Sequence, residues 1–137
     1  MVLDASIALS WLYERAVSHE RALAQRLLLQ LPTEPAVVPA LWSWEIGNAL
    51  LVAERRHLTS AAQVSDYLQR MRMLPIEIDS AGPGERLEVT LALARQHALS
   101  VYDAAYLELA VRLNAPLATF DDALGRAAAA CGLRYGD

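Results

Sequence analysis

The chain has 137 residues, 55% of them hydrophobic, and a formal net charge of −4. That length and apolar content suit a single domain over 1–137 with a substantial core. All twelve cationic side chains are arginine. The absence of lysine removes chemistry that needs an ammonium group: a P-loop NTPase, a Schiff-base enzyme, a receiver domain or a haloacid-dehalogenase-type phosphatase. A lone Cys131 excludes an internal disulfide and a cysteine zinc cluster. No apolar run is long enough to span a bilayer. The opening residues lack a basic n-region and a small-residue cleavage site, so a cytoplasmic protein is expected.

Short apolar runs alternate with longer helical patterns. Val2 and Leu3 form a brief strand, and helices are predicted over about 5–13 and 18–31. Residues 36–38 read as a second strand bracketed by prolines. A helix over about 40–56 ends in Arg55 and Arg56, which suit the negative end of the dipole. Ser60 and Gln63 make a capping box that opens a helix to about 72. Residues 75–78 form a third strand, and Gly82 precedes a helix reaching His97. Ser100 and Asp103 open another helix to about 113, followed by a strand over 117–120. A last helix spans about 122–131 and stops at Gly132, with 133–135 as an edge strand. Strands alternating with helices predict an α/β fold: a parallel central sheet flanked by helices in three layers, α/β/α. Ligands in such sheets gather at the carboxyl ends of the strands.

Four acids stand at the edges of apolar runs: Asp4, Glu45, Asp103 and Asp121. Desolvating a carboxylate is costly unless it has a partner. A hard divalent cation is the natural shared one, which points to metal-dependent chemistry on phosphate. Local alternatives stand beside this. Asp4 can cap the helix after it, Asp121 the last helix, and Asp103 completes a capping box with Ser100. Asp122 reads as a solvated first-turn acid. Leu41, Glu45, Asn48 and Val52 fall on one helical stripe, so an acid and an amide interrupt an apolar face. Either they bond one another or Glu45 faces a site and Asn48 orients it. Thr119 precedes Asp121 by two, so on a strand both point the same way. Ser6 is placed to bond a metal-bound water. His19, His57 and His97 show no ligand spacing.

The segments D4-A-S6 with Trp11 shortly after, W-E45-I-G-N48-A-L, Y102-D103-A-A-Y-L-E-L-A and A-T119-F-D121 occur in this order over nearly the whole chain. Taken together they resemble the PIN-domain ribonucleases, in particular VapC-type toxins of toxin–antitoxin pairs. The resemblance implies a parallel sheet wrapped by helices and a homodimer. It implies an acidic pocket for Mg²⁺ or Mn²⁺, cleavage of single-stranded RNA, and a cognate antitoxin whose tail occupies the pocket, giving a heterotetramer or larger assembly. The family's acids fall on Asp4, Glu45, Asp103 and Asp121, with Ser6, Asn48 and Thr119 as supporting polar residues.

On that basis Asp4 and Asp103 are direct ligands and Glu45 is a base or a ligand through water. Asp121 completes a second metal position. Arg86 and Arg95 are candidates to steer RNA, since lysine is absent. A partner helix is expected in an apolar groove around Trp11, Leu12 and Tyr13 and the helix carrying Trp42, with a basic side chain reaching the acids. Two other readings compete. One is a non-catalytic PIN-like binding module whose acids only shape a pocket; the other is a metal-dependent phosphatase on small phosphoesters.

Overall fold

The computed structural model describes residues 1–12 and 18–136. Four strands form one sheet: β1 (Val2–Leu3), β2 (Ala36–Val38), β3 (Ile76–Ile78) and β4 (Leu117–Ala118). All pairings are parallel, in the order β3-β2-β1-β4. Val2 lies opposite Val37 on one side and Leu117 on the other. Both residues of β1 and both of β4 are buried, as expected for parallel strands covered on both faces. The expected edge strand over 133–135 is a single parallel bridge between Leu117 and Arg134.

The helices are α1 (Ala5–Leu9), α2 (Ser18–Gln30), α3 (Trp42–Arg55), α4 (Ala61–Met71), α5 (Pro83–His97), α6 (Val101–Leu113) and α7 (Asp122–Ala130). With the sheet they make the three-layer α/β/α arrangement of a PIN-like fold. The first helix is shorter than its sequence pattern suggests, and the expected stretch beyond Leu12 lies outside the described residues. Ser60 and Gln63 form the expected capping box at α4. Helix α6 is the central one: Ala104, Tyr106, Leu107, Glu108, Leu109 and Ala110 are all buried, so it has no broad polar face.

The strand order decides where a site can form. The chain lays β2 and β3 to one side of β1, then returns to place β4 on the other. A parallel sheet opens a crevice at such a reversal, outside the carboxyl ends of the two strands. Here those ends are Asp4 and Thr119, held together because the Asp4 N–H donates to the Ala118 carbonyl at 3.0 Å.

Three described residues other than glycine have positive φ, His57, Ala98 and Asn114, and of these alanine has no polar side chain to offset the strain. Ala98 ends α5 with φ 52, in the left-handed region. A Cβ there is unfavourable, so Ala98→Gly is expected to raise stability by about 1 kcal/mol in urea unfolding. No gain would show that the strain is relieved in some other way.

Candidate active site

Asp4 follows β1 directly and occupies the N-cap position of α1, where the Ala5 and Ser6 amides lie near its side chain without a capping hydrogen bond of full geometry. Its Oδ2 instead accepts two hydroxyl protons, from Ser6 Oγ at 2.5 Å and from Thr119 Oγ1 at 2.7 Å. Those hydroxyl oxygens in turn accept backbone N–H groups, Ser6 from Phe120 at 3.0 Å and Thr119 from Asp121 at 2.9 Å. Each hydroxyl is therefore committed as a donor to Asp4. The β1–α1 and β4–α7 turns are stitched across the crevice by the two of them. Asp4 is 8% exposed. Burial pushes its carboxyl above the ordinary 3.8, opposed by the two hydroxyls and by the Ala5 and Ser6 amides.

Glu45 enters from α3. That helix starts at Trp42, so Glu45 sits in the first turn rather than mid-helix, where the dipole favours an acid. The Glu45–Asn48 hydrogen bond does not form. Asn48 points to solvent, and Glu45 Oε2 accepts from the Tyr106 hydroxyl. Burial raises the Glu45 carboxyl above its ordinary 4.5; the Tyr106 bond opposes this, and the charges of Asp4 and Asp103 reinforce it.

Asp103 lies in the first turn of α6. Its N–H donates to Ser100 Oγ at 3.0 Å, and that hydroxyl donates back to Asp103 Oδ2 at 2.6 Å. Ser100 therefore caps α6 but the expected capping box is not completed, since the Asp103 carboxylate accepts the Ser100 hydroxyl rather than its backbone N–H; that carboxylate also acts on Glu45.

Tyr106 was not singled out from sequence, where it passes for an ordinary core aromatic. Its position three residues after Asp103 on the same helix is the only signal that could have found it. Burial, the Glu45 bond and the charges of Glu45 and Asp4 all push its phenol far above the usual range, so it stays a donor.

Asp121 stands apart. Its Oδ1 accepts from the Leu124 N–H at 2.7 Å and caps α7, and the residue is exposed. Strand β4 ends at Ala118, so Thr119 and Asp121 do not share a strand face. Thr119 turns to Asp4 and Asp121 to its own helix. Asp122 is exposed in the first turn of α7.

The structure thus brings Asp4, Glu45, Asp103, Ser6, Thr119 and Tyr106 together and leaves Asn48 and Asp121 exposed and outside that group. Among the described residues, none of the three inner acids pairs with a cation. No described cation compensates the charge and the donors are all hard oxygens, which fits Mg²⁺ or Mn²⁺. Among the same residues, however, no three acids already close around one point as a metal cage.

Arg86 lies 3.9 Å from Glu108, while Arg95 is exposed. An apolar cavity of about 280 Å³ lies beside the acids rather than on them, between Leu41, Leu87, Val101 and Leu109. Trp11 and Leu12 line a groove of about 540 Å³ with Leu28, Tyr67, Met71 and Leu74. Trp11 is anchored there by its indole N–H, which donates to the Ala24 carbonyl at 2.9 Å. Trp42 does not join that groove: it is 9% exposed and packs in the core, whereas Trp44 is 82% exposed. Tyr13 lies outside the described residues.

A sheet that reverses its order at an acid-lined crevice defines a class of α/β proteins with a carboxylate site at the strand ends. The family model for the PIN domain matches residues 1–130, and the chain belongs to that family. It is also 32% identical over 124 residues, 88% of each chain, to ribonuclease VapC3 of Pyrobaculum aerophilum. The chain is therefore similar to a VapC-type ribonuclease. Among the described residues no helix is long and apolar enough to cross a membrane.

Proposed function

We propose that this chain is a metal-dependent endoribonuclease toxin of a type II toxin–antitoxin system, working in the cytoplasm. The observation that carries the reading is the trio Asp4, Glu45 and Asp103: the charges of Asp4 and Asp103 act on Glu45, with no described cation pairing with any of the three, at the topological switch point of a PIN domain. Asp4 and Asp103 would hold the ion and Glu45 would complete the site. Mg²⁺ or Mn²⁺ bound there supplies a water of lowered pKa and neutralises charge on the phosphate.

The chain's own part is orientation and proton transfer. Ser6 and Thr119 spend their protons on Asp4 Oδ2, which fixes that carboxylate. Tyr106 holds Glu45 Oε2, which leaves Oε1 to take the proton of the attacking water. Asp121 keeps Oδ1 on the Leu124 N–H, so its Oδ2 is the oxygen that would serve a second ion. An antitoxin is the expected inhibitor: a helix in the Trp11–Leu12 groove, with a basic side chain extended to the uncompensated acids. A homodimer is expected, and a heterotetramer or larger with antitoxin.

The test is to assay single-stranded RNA and a generic phosphomonoester side by side, with Mn²⁺ and with chelator. Cleavage of RNA alone, only with metal, is expected. Hydrolysis of the phosphomonoester alone would replace this reading with a phosphatase. Glu45→Gln should lower RNA cleavage about 100-fold, whereas Glu54→Gln, near the far end of α3, should leave it intact. Equal losses would remove Glu45 from the site.

A further inference from the structure

Glu45 is a long side chain in a place that repels it. Asp4 and Asp103 act on it as like charges, and no described cation pairs with it. A free glutamate in the first turn of α3 would swing toward water. What holds it inward is one donor, the Tyr106 hydroxyl. Tyr106 cannot follow a wandering carboxylate, because its ring is 0% exposed and locked in the core one turn after Asp103 on α6. The bond spans 61 residues of sequence and ties α3 to α6, the two helices that deliver Glu45 and Asp103. The Ala5 amide of α1 also faces the phenol oxygen, so the same atom meets the element that follows Asp4.

We propose that Tyr106 is a positioning residue whose hydroxyl holds the Glu45 carboxylate inward beside Asp4 and Asp103, in the single orientation in which a metal-bound water or ion meets it. This rests on the metallonuclease reading above. It adds that the Glu45 end of the site is assembled by a core phenol before any ion arrives.

The experiment is a double-mutant cycle on the full chain with Tyr106→Phe and Glu45→Gln. Two properties are read: kcat and KM on a single-stranded RNA oligonucleotide with Mn²⁺, and Mn²⁺ affinity by calorimetry without RNA. Phenylalanine keeps the ring and removes only the hydroxyl. Tyr106→Phe is expected to lower kcat about tenfold or more with KM little changed, and to weaken Mn²⁺ binding by a similar factor. Both losses should vanish in the Glu45→Gln background. Equal losses in both backgrounds would assign Tyr106 a general packing role and overturn the proposal, as would no loss in the unaltered background. If the unaltered protein cleaves no RNA, the nuclease reading fails while the Mn²⁺ cycle still decides Tyr106. Should Tyr106→Phe not fold, Glu45→Asp draws the carboxylate out of the phenol's reach without touching the core. Weakened Mn²⁺ binding is then expected, and unchanged binding overturns the proposal.

Discussion

Asp4→Asn is expected to abolish metal-dependent RNA cleavage, a loss of about three orders of magnitude, while raising the melting temperature of the metal-free protein. On the proposed function the activity loss follows from removing a charged metal ligand, a contribution of several kcal/mol. The stability gain follows from the same charge. Asp4 is 8% exposed and its folded carboxyl sits above the ordinary 3.8. A raised carboxyl supports folding below its unfolded pKa and loses that support as pH rises through the folded pKa, so at neutral pH ionised Asp4 opposes folding. Asparagine keeps an oxygen to accept from Ser6 and Thr119. A rise in melting temperature of about 3 °C or more is expected at pH 7, shrinking toward acid pH. Full activity in the variant, or a melting temperature that falls at pH 7, would mean that the Asp4 charge is not the uncompensated one. Asp103→Asn should lose activity likewise.

The second large effect concerns stability alone. Arg112 on α6 bonds Asp79 at 2.5 Å and Glu108 at 3.1 Å, and the Glu108 side chain is only 8% exposed. Arg86 pairs with the same Glu108 more weakly, at 3.9 Å. Arg112→Met would leave Glu108 to that longer pair and strip Asp79 of its arginine, so a loss of about 2 kcal/mol is expected in urea unfolding. Adding Glu108→Gln should recover much of it, because the stranded charge goes with it. A loss under about 1 kcal/mol would place this cluster with ordinary surface pairs.

Much of the fold could be read from the chain because its signals are local. Capping at Ser60, the apolar strands and the helix ends depend on neighbours a few residues away, and the sheet order then brings Asp4 beside Thr119. The boundaries read least well are those the site itself bends. Strand β4 stops at Ala118 rather than 120 because Thr119 turns its hydroxyl to Asp4 and Asp121 turns to cap α7. Helix α3 starts at Trp42 rather than about 40, which sets Glu45 in its first turn, and the partner of Glu45 is Tyr106 rather than Asn48. That partner was hidden because the contact joins residues far apart in sequence and looks like core packing from either side. The Arg112–Asp79 pair, 33 residues apart, was hidden for the same reason. Tryptophans mislead in both directions, since Trp42 is core and its neighbour Trp44 is not.

The proposed function has the acids at the β1–β4 crevice cut RNA with a metal-activated water, and mass spectrometry of the ends left when the purified protein cleaves a single-stranded RNA oligonucleotide with Mn²⁺ decides it. Attack by water leaves a simple phosphomonoester, and cleavage should persist when the 2′-hydroxyl at the scissile nucleotide is replaced by hydrogen. A 2′,3′-cyclic phosphate would show that the RNA's own hydroxyl is the nucleophile, and cleavage that continues in chelator would show that no metal is needed; either would contradict the role given to Asp4, Glu45 and Asp103.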